Sequence, residues 1–419
     1  MRRSATPADD LIVGLDIGTT KVCAVIGQIN ETTREIEIIG VGSTPSRGLR
    51  RGVVVNIDKT IKSILTAVEE AEMMSGREVG GVYAGIAGGH IEGLNSRGVV
   101  AVSGRDREIG RDDVDRVVDA ARAIAIPMDR EIIHVIPQEF IVDQQGGITD
   151  PVGMVGVRLE AEVHIITGSV TSIQNVVKCA NRAGFKVYDI ALEPLASSKA
   201  VLSDDEKELG VLLVDLGGGT TDVLVHLSGS PYHTNVIALG GDQVTSDLSI
   251  VLKTPLEAAE RIKTESGCCY LPMVEGSEDV VSIPGVGGRL PESVRITDVA
   301  RIVQPRMMEI FGLVKAELDR RNLLPLLAGG VVLTGGGALV RGAAELAKQV
   351  FGLPTRVGYP HRLGGLVEEY QSPVYATGVG LVLYGASVRE RGESAQPMGE
   401  RVSGRGVLSR MRNWFREFF

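Results

Sequence analysis

An apolar strand, a glycine- and threonine-rich turn opened by an aspartate, and a second apolar strand occur twice in this chain, about 200 residues apart. The first copy runs through residues 11–14, turns at Asp16-Ile17-Gly18-Thr19-Thr20 and continues in residues 21–29. The second runs through residues 211–216, turns at Gly217-Gly218-Gly219-Thr220-Thr221-Asp222 and continues in residues 223–227. A third apolar strand, residues 331–334, also ends on glycines, Gly335-Gly336-Gly337. A hairpin that returns at this distance predicts two homologous α/β domains facing one another.

Glycine turns let phosphate oxygens come close to backbone N–H groups, and threonines add hydroxyl donors. An aspartate at the mouth of each turn would by itself repel phosphate. Asp16 and Asp215 make sense as a pair when a divalent cation such as Mg2+ sits between carboxylate and phosphate, usually through water. Two ordinary hairpins with turn-favouring residues are the alternative; two matching turns and a third triple-glycine turn favour nucleotide binding.

Glycine supplies 53 of the 419 residues, about 13% against about 7% in ordinary proteins. Apolar residues at 43% and charged residues at 23% are those of a globular chain, and the length suits two or three domains. A net charge of −9 argues against a broad basic surface for nucleic acid. The cysteines Cys23, Cys179, Cys268 and Cys269 lack the paired spacing of a zinc site. The adjacent pair reads as ordinary small residues kept reduced in the cytosol rather than as a redox centre. The polar first ten residues lack the apolar run of a secretory signal, and no stretch of ~18 apolar residues spans a bilayer.

Residues 58–75 place Ile61, Ile64, Leu65, Val68, Ala71 and Met74 at helical spacing, with Gly76 as the stop. Residues 92–158 carry a smaller α/β pattern that reads as an inserted subdomain. It has a strand near Val99, a helix through Val114, Val117, Val118 and Ala121, and a strand over 132–142. Residues 388–404 are charged and carry glycine, serine and proline, the composition of a flexible linker.

The last segment, 405–419, has a different character. Projected at about 100° per residue, Val407, Leu408, Met411, Trp414, Phe415, Phe418 and Phe419 fall within an arc of about 140°. Ser409, Arg410, Arg412, Asn413, Arg416 and Glu417 fill the rest. The chain's one tryptophan and three of its seven phenylalanines lie in the last six residues, and side-chain charge from Arg405 onward is +3. Apolar bulk bordered by Arg410, Arg412 and Arg416 predicts a helix lying in the surface of an anionic membrane. At roughly 22 Å it is too short to cross one. A helix docked on its own domain or on a partner has the same periodicity, but the linker before it and the basic border favour lipid.

Asp16-Ile17-Gly18-Thr19-Thr20 resembles the first phosphate loop of the actin, Hsp70 and sugar-kinase ATPases. The stretch from Asp215 to Asp222 resembles the second loop, and Leu333-Thr334-Gly335-Gly336-Gly337 the adenosine motif. The resemblance implies a two-domain actin-like (ribonuclease H-like) α/β fold that clasps Mg-ATP between one hairpin from each domain. Glu193-Pro194-Leu195-Ala196 resembles the first connecting helix, which makes Glu193 a candidate to orient the attacking water beside Asp215; it also reads as a helix start with proline in its first turn. Glu260-Arg261-Ile262-Lys263 matches the element that contacts ribose and adenine in Hsp70-like members, and equally describes a helix-face ion pair. Lys21, where Hsp70 relatives lack a lysine, would neutralise phosphate charge. The resemblance thus assigns nucleotide binding to Asp16, Gly18, Thr19, Thr20, Lys21, Asp215, Gly217, Gly218, Gly219, Thr220, Thr221, Asp222, Gly240, Gly241, Glu260, Lys263, Gly335, Gly336 and Gly337.

The segment GGDQVTSDL at residues 240–248, the insert after the first hairpin and the detached terminal helix together resemble FtsA, the actin-like family of bacterial cell division, over about residues 10–419. That implies subdomain 1A at 10–91 and 159–209 with an inserted 1C at 92–158. Subdomain 2A would occupy 210–244 and 329–387, the latter returning to 1A, with 2B at 245–328. It further implies an ATP-binding scaffold rather than an enzyme. Such a scaffold would bind the C-terminal peptide of the tubulin-like FtsZ through 2B and form filaments with itself. It would hold FtsZ polymers at the cytoplasmic face of the membrane at the division site, and recruit later division proteins partly through 1C. A metabolite kinase of the same superfamily would need a substrate-specific base, for which no motif stands out. Pilus (PilM-like) or cell-shape (MreB-like) assembly proteins would not be expected to carry this tail.

Overall fold

The computed structural model describes residues 10–30, 35–287, 290–361, 363–365 and 370–390. Two five-stranded sheets dominate it. The first runs Ile36–Pro45, Lys21–Ile29, Leu11–Ile17, Gly81–Ile86, Lys186–Leu192; the second runs Ser230–Ile237, Thr221–Leu227, Val211–Leu216, Val331–Thr334, Thr355–Val357. In each, three antiparallel strands are followed by two parallel ones, so the two halves are copies of one topology. The central strands are buried on both faces, which explains their unbroken apolar runs.

Helices cover these faces for local reasons. Helix Ile57–Ser75 begins where the Asn56 side chain accepts from the Lys59 N–H and ends at Gly76, in the left-handed region. Helix Glu193–Val201 is almost wholly buried, and helix Ala376–Glu390 packs against it so closely that a Cβ on Gly380 would meet the Ala196 carbonyl at 1.9 Å. This last helix returns the chain to the first sheet. It continues through Val388, buried at 5%, to Glu390, so the linker expected from 388 begins no earlier than 391. The rest of that linker and the amphipathic segment 405–419 lie outside the described residues.

The inserted unit has a sheet in the order Glu92–Ala101, Arg158–Ser169, Arg130–Val142, Gln145–Ile148, with helix Arg111–Arg122 over its own apolar core of Val114, Val117, Phe140 and Leu159. Its second strand pairs along its length with both neighbours, so the unit extends past the end expected at 158 to about Ser169. No composition change marks that point, because the chain passes directly from this strand into helix Val170–Arg182. In the second half, helices Gly241–Leu252, Leu256–Ser266 and Ile296–Arg320 pack with a small hairpin, Val280–Ile283 and Glu292–Arg295. The first of these helices begins before the boundary expected at 244/245.

The insert interrupts the first half yet is bonded to the second. Gln138 donates from Nε2 to the Pro231 and Tyr232 carbonyls at 3.2 and 3.1 Å. His164, 1% exposed, places Nδ1 2.6 Å from Asn95 Oδ1 and Nε2 2.9 Å from Thr234 Oγ1. Burial, with smaller contributions from His233 and Arg321, pushes this imidazole down to about 3. The folded protein therefore keeps His164 neutral while the unfolded chain takes up a proton near pH 6.5, so its contribution to stability is lost as pH falls from about 6.5 toward 3. His164→Asn should lower stability by about 1–3 kcal/mol at pH 7.5. The gap in melting temperature from the unsubstituted protein should narrow as pH is lowered to 5, and a constant gap would contradict the neutral, buried assignment. Comparison at each pH cancels the opposing effect of the buried carboxylates described below.

Candidate functional site: a cleft between two glycine turns

Strand register aligns the two hairpins residue for residue. Asp16 pairs with Cys23 and Ile17 with Val22; Asp215 pairs with Asp222 and Leu216 with Thr221. Both turns thus contain four residues, and Asp16 and Asp215 occupy the same position. The threonines do not: Thr19 and Thr20 stand where the second turn has Gly218 and Gly219, and Lys21 where it has Thr220. A Cβ on Gly218 would lie 1.7 Å from Thr20 Oγ1, so the turns can meet only because that position lacks a side chain. Thr20 then donates to Asp242 Oδ1 at 3.2 Å, and Thr19 Oγ1 accepts from the Gly52 N–H at 2.9 Å.

Between the turns lies a cleft of about 370 Å3. Its walls gather Asp16, Gly18, Thr19, Thr20 and Lys21 from the first hairpin and Asp215, Gly217, Gly218, Gly219, Thr220 and Asp222 from the second. Glu193, Gly241, Glu260, Lys263 and Gly335, Gly336 and Gly337 complete the set read from sequence. Two expected residues stand behind the wall instead. Thr221 is fully buried and donates to the Leu239 carbonyl at 2.8 Å. Gly240 packs on the Gly217 and Gly218 carbonyls, with its N–H turned to Gln243 Oε1 at 2.6 Å. They brace the turn: the Gly241 and Asp242 N–H groups donate to the Gly217 and Gly218 carbonyls at 2.9 and 2.8 Å.

Residues with two readings in the sequence show the local feature and also a place on the cleft wall. Lys263 donates to Glu260 Oε2 at 2.8 Å, an ion pair three residues apart on one helix, and the pair lines the cleft. Glu193 is the first residue of its helix with Pro194 second, and it also faces the cleft. Lys21 donates to the Val374 carbonyl, stands 4.0 Å from Asp16 Oδ2 and lies over the Tyr375 ring.

The cleft is also lined by residues that local sequence did not reveal, among them Asp242, Thr264, Leu339, Val340, Pro373, Val374 and Thr377. Ser197 acts from beneath, donating to Asp215 Oδ2 at 2.7 Å, with Thr377 donating to the same oxygen at 3.4 Å. Ser197 and Thr377 lie 180 residues apart in the chain, so only the packing of their two helices brings them together.

Negative charge is concentrated under the turns. Asp16, Asp215 and Asp222 are 7%, 8% and 4% exposed. Burial, opposed by Lys21 and reinforced by Asp215, lifts Asp16 to about 6. Burial and then Asp215 lift Asp222 to about 8. Burial also raises Asp215, with the Ser197 and Thr377 hydroxyls opposing. Glu193 is raised well above the carboxylate range by burial, then by Asp16, Asp222 and Asp215. One oxygen of Asp222 has no hydrogen-bond partner. Such a floor needs positive charge. Among the described residues no three His, Cys, Asp or Glu side chains converge as direct metal ligands. The arrangement therefore fits a cation held in part through water or a ligand's oxygens.

The model of the family described as cell division protein FtsA matches residues 212–380, and that of the SHS2 domain inserted in FtsA matches residues 88–167. FtsA of Pseudomonas aeruginosa is 45% identical over 408 residues, 96% of this chain and 97% of its own. FtsA of Escherichia coli K12 is 39% identical over 416 residues, 98% of each chain. The chain belongs to the FtsA family. Bacillus subtilis FtsA, 41% identical over 377 residues, covers 90% of this chain and 83% of its own. The SHS2 match falls on the inserted unit and, like its sheet, continues beyond residue 158. Among solved structures, the PilM–PilN type IV pilus biogenesis complex has a chain with a TM-score of 0.67 at 18% identity, covering 90% of this chain and 98% of that one. MreB5 of Spiroplasma citri bound to ADP gives 0.53 at 14% identity over 92% of this chain and 98% of that one. The fold is actin-like, as the resemblance of the two turns to known phosphate loops implied.

Contact between the turns is open to a direct check. Gly218→Ala should break the Thr20–Asp242 bond and destabilise the protein by about 1–3 kcal/mol. Gly336→Ala, where an added Cβ meets nothing within 4 Å, should change stability by less than about 0.5 kcal/mol. Thermal denaturation of both variants makes the comparison; equal effects would contradict the close approach.

Proposed function

We propose that this protein is an ATP-binding, actin-like scaffold of bacterial cell division that tethers FtsZ polymers to the cytoplasmic face of the membrane. The reading is carried by two hairpins of one topology that face each other across a single cleft, with buried carboxylates beneath both turns. In it, the backbone around Gly18–Thr20 and Gly217–Thr220 cradles phosphates. Asp16 and Asp215 hold Mg2+ through water, and the ion neutralises charge on the phosphates and on the cleft floor. Gly335–Gly337 take the adenosine, Glu260 and Lys263 the ribose and adenine, Lys21 balances phosphate charge, and Glu193 orients water for slow hydrolysis.

Nucleotide would act as a wedge, favouring a polymer-competent closure to the extent that it binds the closed state more tightly than the open one. The segment over 245–328 would take the C-terminal peptide of FtsZ, and the insert would recruit later division proteins. Residues 405–419 would rest in the inner leaflet through Trp414, Phe415, Phe418 and Phe419, with Arg410, Arg412 and Arg416 at the headgroups. One such helix binds reversibly, so a filament of linked protomers would hold far better than a single copy.

Two variants test the separate halves of this reading. Asp215→Ala should weaken ATP binding about ten-fold or more and abolish nucleotide-dependent filaments together; unchanged affinity by calorimetry would reject the site. Trp414→Glu should release the protein from anionic liposomes while leaving FtsZ-peptide binding intact. Retained flotation would reject the anchor.

A further inference from the structure

Beneath the cleft, the nucleotide reading leaves two hydroxyls without a task. Ser197 is fully buried within helix Glu193–Val201, and Thr377 is buried at the start of helix Ala376–Glu390. A serine inside a helix ordinarily bonds to a carbonyl one turn back, as the adjacent Ser198 does with the Leu195 carbonyl at 2.8 Å. Ser197 instead reaches out of its helix to Asp215 Oδ2 at 2.7 Å. Thr377 Oγ1 stands 3.0 Å from the Ser197 hydroxyl and 3.4 Å from the same carboxylate oxygen. The two hydroxyls are close enough to pair with each other, so burying them does not by itself call for a carboxylate.

Both bonds fall on one oxygen. Among the described residues no side chain donates to Asp215 Oδ1, which lies where a Cβ on Gly335 would come within 2.4 Å of it. One carboxylate oxygen is thus fastened, and the other is left against the glycine wall of the cleft. The fastening also crosses the molecule. Asp215 belongs to strand Val211–Leu216 of the second sheet, whereas Ala196, Ala200, Ala376 and Val379, from the two helices, pack in the core around the first sheet. Three residues before Thr377, the Val374 carbonyl accepts from Lys21, which stands 4.0 Å from Asp16 Oδ2. Residues 374–377 therefore connect the surroundings of both aspartates, one from each turn.

We propose that Ser197 and Thr377 are positioning residues for the cation that accompanies the nucleotide. By occupying Oδ2 they leave Oδ1 as the oxygen of Asp215 that serves the ion or its water, and they tie that carboxylate to the helices of the first half. Groups that orient a metal-binding carboxylate set metal affinity without touching the metal. The inference rests on the reading of the cleft as a site for nucleotide and Mg2+.

Calorimetric titration of the full-length protein with a non-hydrolysable ATP analogue, once in Mg2+ and once in EDTA, separates the metal's contribution from that of the nucleotide. Ser197→Ala should lower the ratio of the two affinities about ten-fold, and Ser197→Ala with Thr377→Val by at least as much. Affinity in EDTA should stay within about two-fold in each, and Thr377→Ser, which keeps the hydroxyl, should keep the ratio. An unchanged ratio in both hydroxyl-free variants would overturn the proposal, as would an equal loss of affinity in Mg2+ and EDTA, the mark of a merely structural role. An unsubstituted protein that binds the analogue equally in Mg2+ and EDTA, or in neither, would instead overturn the parent reading, and this inference with it.

Discussion

Two backbone turns approach each other so closely that one position in the second must be glycine, and beneath them several carboxylates are buried, with Lys21 4.0 Å from Asp16. Much of the molecule follows from that juxtaposition. Each turn is held at the end of a strand buried on both faces, which fixes its height above the sheet. Thr20 reaches across to Asp242, and Asp242 is tied in turn to the Gly218 carbonyl, so the first hairpin touches the second through a short relay. Ser197 and Thr377 hold Asp215 in place from two helices that are themselves locked by the contact of Gly380 with Ala196. Positive charge brought by a ligand would relieve the strain of burying Asp16, Asp215 and Asp222 together, which is why the cleft suits an anion accompanied by a cation better than an anion alone.

The hairpins were legible because their signal is local. An apolar run bounded by glycine and threonine needs no partner to be recognised, and its repetition declared the two-part architecture. The positions of Asp16 and Asp215 followed from the same pattern. What the pattern misaligned was the interior of the turns. Matching threonine to threonine requires a gap, whereas the hydrogen-bond register has none and sets Thr19 and Thr20 against Gly218 and Gly219. Thr221 looked like a wall residue for the same reason, yet alternation along its strand turns it inward.

Features that depend on distant partners were not legible. Nothing near Ser197 or Thr377 in the chain marks either as a support for Asp215. The end of the insert was set too early because strand Arg158–Ser169 belongs to the insert by its pairing and leads straight into a helix of the main body. His164 lay unremarked in an apolar stretch; its role emerges only from Asn95 on one side and Thr234 on the other. These bonds give the insert a firm attachment to the half from which it does not originate. A change in the angle between the halves would have to break or carry these bonds with it.

A crystal grown with Mg2+ and a non-hydrolysable ATP analogue puts the two-turn clasp to its most direct test. The triphosphate should lie between Gly18–Thr20 and Gly217–Thr220, with the ion beside Asp16 and Asp215. Nucleotide bound elsewhere, with the two turns still in contact and nothing between them, would contradict it.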